Sequence, residues 1–142
     1  MPDIAFDLCL AHGRCVGVHL PEGEAPAAET LPAEERAFAA SLTAVRRRTW
    51  LGGRAALRQA LARAGLDAPP VLADARGAPM FPAGIVGSIS HKDTLAVALV
   101  ASAGPRDAAR VGVDVELDAP HAFDIASKVL TDEEATEVAR LE

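Results

Sequence analysis

A chain of 142 residues, half of them hydrophobic and a quarter charged, is long enough for one modest core and has the balance of an ordinary globular fold. Its formal net charge of −6 excludes a generic nucleic-acid binder, because a phosphate backbone rewards a basic surface. No apolar run approaches the length of a membrane span, and the start "MPDIAFDLCLAHGRC" sets Asp3 and Asp7 where a signal peptide needs basic and then unbroken apolar residues. A cytoplasmic location follows as the expectation.

With one Trp, four Phe and no Tyr, the core must be built from Ala, Leu and Val. Residues 4–20 read as strand, turn, strand. Cys9 and Cys15 match neither a metal-ligand spacing nor a disulfide framework, and are expected to be small, semi-buried side chains in a reducing compartment. "PEGEAPAAETLPAEE" is a loop that ends in a helix start, with Pro32 in the first turn and Glu34 and Glu35 at the positive end of the dipole. That predicts a helix over 33–45. A second is predicted over 48–64, with Leu51, Ala55, Leu61 and Ala62 inward and Gly65 as its stop. "DAPPVLADARGAPMFPAG" is proline-punctuated and must run extended or turning. Strands are predicted at 86–90, 95–101 and 111–116. A last helix begins at Thr131, with Glu134 at the capping-box spacing.

The order Val-Gly-Val strand, loop, Leu-(Pro/Thr)-x-Glu-Glu helix start occurs twice: at 16–21 with 31–38, and at 111–116 with 130–137. Such an echo implies two similar halves, the second unfinished.

In "VGVDVE" a period of two sends Val111, Val113 and Val115 to one face and Gly112, Asp114 and Glu116 to the other. Two carboxylates above a glycine form a hard-oxygen site of the kind Mg²⁺ uses, or simply an acidic outer face. In "GSISH", adjacent residues of a strand point to opposite faces, so Ser90 and His91 cannot be a nucleophile–base pair, and no G-x-S-x-G elbow is present. His91 suits a donor to phosphate, or a strand end. Arg46, Arg47, Arg48, Arg54, Arg58 and Arg63 crowd one helical stretch, with Arg47, Arg54 and Arg58 on one side and Arg48 at the entrance. The cluster reads as a solvated helix face, or, for an arginine near the helix start, as a candidate nucleotide-phosphate contact.

Taken in order, "RRRTWLGGRAALRQAL" (46–61), "RGAPMFPAGIVGSISH" (76–91), "VGVDVE" (111–116) and "KVLTDEEATE" (128–137) resemble the 4′-phosphopantetheinyl transferases of the two-lobed type that acts in surfactin and enterobactin synthesis. The resemblance implies an α+β fold, a short, mainly antiparallel sheet with helices on one face, and a second lobe related to it by a pseudo-twofold. Residues 1–106 would be the N-terminal lobe and 107–142 the start of the second. It implies an enzyme that moves the phosphopantetheine arm of coenzyme A onto a serine of an acyl or peptidyl carrier protein, with Mg²⁺ on the pyrophosphate, releasing 3′,5′-ADP in siderophore, polyketide or nonribosomal peptide synthesis.

By the same resemblance Asp114 and Glu116 are the metal ligands, and Ser90 and His91 contact coenzyme A phosphates, with His91 also counted as catalytic. Arg48 binds coenzyme A, Arg54 is a further phosphate candidate, and Gly77, Pro79 and Pro82 form the loop near the adenine. The chain departs from the family pattern at Ala78, where many members have lysine, and at "LPAEERAF", which offers only Arg36 where some have lysines. The third family motif, W/F-x-x-K-E, would follow Glu142, which implies a truncated second lobe, an exposed apolar surface, and self-association or pairing with a separate C-terminal piece. Glu116 or a Mg²⁺-bound water remains for the general base. Two other readings stay open: a coenzyme A or carrier-protein binding module without turnover, and a Mg²⁺-dependent phosphohydrolase using Asp114 and Glu116.

Overall fold

The computed structural model describes residues 1–23, 26, 28–104, 110–119 and 126–141. Alternating and β-branched residues at each end of the chain's first hundred positions form four strands: β1 (Ile4–Leu10), β2 (Gly13–His19), β3 (Ile85–Lys92) and β4 (Leu95–Ser102). They pair antiparallel throughout, in the order β1-β2-β4-β3. Two-residue connections at 11–12 and 93–94 join β1 to β2 and β3 to β4. Gly13, just after the first, sits at φ 146°, and a Cβ there would run into the Val100 carbonyl of the adjacent strand.

Between β2 and β3 the chain forms α1 (Ala33–Ala40) and α2 (Ala44–Ala64). Helix α2 lies across one sheet face. Ala56, Leu57, Ala60 and Leu61 meet Val16, Val18, Ala96, Ala98 and Val100, and all nine are buried. Alanine on both surfaces brings helix and sheet close, which suits a core with few aromatics. The apolar side of α2 is thus turned from the predicted one: Leu51 and Leu61 are buried, but Ala55 is half-buried and Ala62 is exposed. Gly65 closes the helix at φ 67° in the left-handed region, as expected.

The opposite face of the sheet is covered by something the sequence pattern misassigns. Residues 111–116 were predicted to be a strand, yet 110–119 pairs with no strand. Val111, Val113 and Val115 pack instead on Cys15, Val97 and Leu99, with Phe6 and Leu95 beside them. The echo is therefore partial: its first "VGV" is inside β2, its second is an extended cover, and both are followed by helices. Helix α3 (Ala126–Val129) was not predicted, while α4 (Asp132–Ala139) carries the expected capping box between Thr131 and Glu134. No described residue of 126–141 is buried, and Val129, Val138 and Leu141 are exposed. The expected domain boundary at 106 lies outside the described residues. Burial of Cys15 pushes its thiol pKa up, whereas Cys9, expected to be semi-buried, is exposed.

Asp7 on β1 joins three elements. It accepts from Arg14 of β2 through both carboxylate oxygens, at 2.6 and 2.7 Å, and from Arg63 at the end of α2 at 2.9 Å. The Arg14 hydrogen bonds, aided by the charges of Arg14 and Arg63, hold the Asp7 carboxyl below its ordinary pKa. A depressed carboxylate pKa stabilises the folded state above the usual aspartate range and ceases to do so as pH falls through the folded-state value. Wild type should therefore melt above Asp7→Asn at neutral pH, the gap closing in acid. Thermal melts of both proteins across pH check this, and a gap independent of pH would contradict it.

Candidate functional site: an arginine-lined cleft

The arginines of α2 do different work, and their hydrogen bonds separate them. Arg47 turns back to the end of α1, donating to the carbonyls of Ala39, Ala40 and Leu42 at 2.8–3.1 Å, and so satisfies carbonyls that a helix end leaves open. Arg48 donates to the carbonyls of Pro21, Leu20 and Asp93 at 2.8–3.1 Å, which clamps the end of β2 to the β3–β4 turn. Asp93 in that turn sits at φ 43°. Arg58 donates to the carbonyls of Ala68 and Pro69 and to the carboxylate of Glu35.

Arg54 has none of this. It is 4 % exposed, its Nε has no hydrogen-bond partner among the described residues, and its guanidinium carbon lies 4.5 Å from the centroid of the Trp50 ring. Burial pulls its pKa down; the Glu35 charge works against that and the Arg58 charge adds to it. One buried carboxylate thus faces two arginines, one of them with its Nε unpartnered among the described residues. A buried cation in this state is costly unless an anion completes it.

Arg54 lines a cavity of about 340 Å³ on the α2 side of the sheet, together with Arg46, Trp50, Gly77, Pro79 and His91. Phe38 of α1 backs the Trp50 ring at 5.1 Å between centroids. The far wall is a tight hairpin. Asp74 Oδ1 accepts from the backbone N–H groups of Arg76 and Ala78, Gly77 takes φ 86°, and Ala73 bridges Pro79. Strand β3 forms the third side through Ile89 and His91. The cleft offers an aromatic face, a glycine-proline wall and three side chains able to carry positive charge.

The strand period separates Ser90 from His91. Ser90 is on the opposite face, where its Oγ–H donates to Asp114 Oδ1 at 2.8 Å and its oxygen accepts from the Val115 N–H at 3.2 Å. Two residues further along, Lys92 Nζ lies 3.2 Å from Glu116 Oε2. The edge strand β3 therefore carries the cleft on one side and the paired carboxylates on the other.

Residues 33–101 match the family described as the 4′-phosphopantetheinyl transferase N-terminal domain. Over 87 residues the chain is 40 % identical to the 4′-phosphopantetheinyl transferase Svp of Streptomyces mobaraensis, covering 61 % of this chain and 35 % of that protein. It is also 40 % identical over 91 residues to the 4′-phosphopantetheinyl transferase Npt of Nocardia iowensis, covering 64 % and 38 %. These matches support the 4′-phosphopantetheinyl transferase superfamily for the chain. It matches the N-terminal portion of such proteins and spans about a third of the length of these curated relatives.

Within this phosphopantetheinyl transferase portion, the predicted site residues divide. Arg54, Gly77, Pro79 and His91 come together around the cleft. Arg48 does not line it, and three of its donors are given to carbonyls. Ser90 and His91, paired in the expectation, serve opposite faces. Asp114 and Glu116 do lie along one side of their segment, each held by a β3 side chain. Arg46 and Trp50 were not singled out, although a signal was present: 46, 50 and 54 are four apart and share one helix face. Among the described residues no group of three or more His, Cys, Asp or Glu side chains is gathered as a metal cluster, and no helix is long and apolar enough to cross a membrane.

Proposed function

We propose that the chain contributes the nucleotide-binding half of an enzyme that transfers the 4′-phosphopantetheine arm of coenzyme A to a carrier-protein serine. The observation that carries the reading is the buried Arg54, whose Nε has no hydrogen-bond partner among the described residues, in a cleft with Trp50, Arg46 and His91. A phosphorylated nucleoside supplies what that cleft lacks: an anion for the guanidinium and a flat apolar ring for the aromatic side. In this reading Arg54 and Arg46 bind phosphate, His91 donates to it from β3, and the Gly77–Pro79 wall lies against the base.

Asp114 and Glu116 fit Mg²⁺ by donor chemistry, since this ion is held by one or two carboxylates and completes its shell with water and phosphate. When bound, the ion would offset charge developing on the pyrophosphate as the P–O bond to 3′,5′-ADP breaks. The carrier serine oxygen forms the new bond to phosphorus and gives up its proton, with Glu116 the carboxylate available to accept it. The superfamily match over 33–101 supports the same reading.

The test is intact-mass spectrometry of an apo carrier protein incubated with the chain, coenzyme A and Mg²⁺, with Asp114→Ala alongside. A gain of one phosphopantetheine, lost in the variant, is the expected result. An unmodified carrier combined with calorimetric binding of coenzyme A would leave two readings, a binding module or one part of a longer enzyme, which activity of a longer chain would separate. Failure to bind coenzyme A would remove both readings.

A further inference from the structure

We propose that Ser90 is a positioning residue whose hydroxyl aims the Asp114 carboxylate at a divalent cation; this rests on the reading of Asp114 and Glu116 as the pair that holds one. The resemblance would make Ser90 a phosphate contact, on the same footing as His91. Its hydrogen bonds give it different work. A hydroxyl has one proton, and here the Val115 N–H already donates to its oxygen, so that proton goes to Asp114 Oδ1. Both the direction of the hydroxyl and the orientation of the carboxylate are thereby set, and Asp114 Oδ2 is left outside the bond.

The surroundings make this contact matter. Residues 110–119 have no strand partner to fix their register. Three valines hold the segment to the sheet by non-directional apolar contact, which does not specify where a carboxylate points. Ser90 binds the side chain of Asp114 and the backbone of Val115 at once, and so ties the segment at the position of the first carboxylate. Lys92 meets Glu116 two residues on, in the same direction along β3. Asp114 and Glu116 would repel each other if brought to one point without positive charge, and the Lys92 ammonium eases that in the cation-free chain. Ser90, a neutral group, is not displaced when a cation arrives; it keeps Asp114 aimed in either state. Groups of this kind that orient a ligating carboxylate are worth about 10- to 100-fold in metal affinity elsewhere.

The experiment uses the whole chain with Ser90→Ala and Ser90→Thr. Mn²⁺ alone is titrated by electron paramagnetic resonance, as an oxygen-preferring divalent probe. Amide exchange across 111–117 is followed in parallel. Ser90→Ala should weaken Mn²⁺ about tenfold or more and speed exchange at Val115. Ser90→Thr, which retains the hydroxyl, should restore both. Wild-type Mn²⁺ affinity in Ser90→Ala overturns the proposal alone, as does equal weakening in the alanine and threonine variants. A loss of metal-free 3′,5′-ADP affinity in Ser90→Ala as large as its loss of Mn²⁺ affinity also overturns it, returning Ser90 to the phosphate. If wild type binds no Mn²⁺, the carboxylate reading fails and the proposal fails with it, an outcome separate from the preceding ones.

Discussion

Replacing Arg54 with methionine should weaken 3′,5′-ADP binding by about 10- to 100-fold while leaving the melting temperature unchanged or raised. The binding loss is the range expected for charge-assisted hydrogen bonds, about 1.5–3 kcal/mol. The stability result follows from what surrounds the guanidinium. Arg54 is 4 % exposed with an Nε unpartnered among the described residues, and within the chain its compensation is the Trp50 face and the charge of Glu35, which Arg58 already engages. A cation over a desolvated indole recovers about 2 kcal/mol, less than a lone buried charge costs. Methionine is of similar length, carries no charge, and can place its sulfur against the same ring. Calorimetry with 3′,5′-ADP and a thermal melt on the same preparation decide the matter. Retained affinity would remove Arg54 from the site. Joint loss of affinity and stability would make it a structural residue, and the cleft would need another anion ligand.

How far this arrangement could be read from sequence depends on the kind of information each part needs. Strand β4 was legible because Leu95–Ser102 is apolar on both faces, and the structure buries 96, 98 and 100 under α2 and 97 and 99 under the valine cover. The "VGVDVE" alternation told correctly which side chains turn inward. It could not tell whether the backbone pairs with a neighbouring strand or merely lies over one, since both conformations have a period of two. The arginines show the limit most clearly. Arg47, Arg48, Arg54 and Arg58 are chemically identical and within twelve positions, yet one closes a helix end, one clamps a turn, one is buried with its Nε unpartnered among the described residues and one pairs with Glu35. Which carbonyls lie within reach is a tertiary fact. Even a matched motif divides this way. Glu134 in "LTDEE" folds back onto Thr131, whereas Glu35 in "LPAEE" faces Pro32, which has no N–H to offer, and turns inward instead.

That inward turn makes Glu35→Ala the substitution with the largest expected cost to stability, about 3–5 kcal/mol. The Glu35 side chain is fully buried; one oxygen accepts from Arg58 and, at 2.8 Å, from the backbone N–H of Val71. This carboxylate ties α1 to α2 and both to the chain entering the Gly77 hairpin, so the three connections meet behind the cleft. Alanine leaves the Arg58 guanidinium facing Arg54 with no negative charge between them and strands the Val71 N–H. Removing one partner of a buried pair typically costs the stated amount, a large share of the roughly 5–15 kcal/mol that holds a domain together. Urea unfolding measures it. Glu35→Gln should cost less, since an amide oxygen can still accept from Val71. A double variant, Glu35→Ala with Arg58→Met, should be less destabilised than the two single changes summed, because the uncompensated cation goes with its partner. A cost below about 1 kcal/mol in Glu35→Ala would mean that Arg58 finds another counter-charge. The alignment of the cleft walls would then rest on apolar packing rather than on this carboxylate.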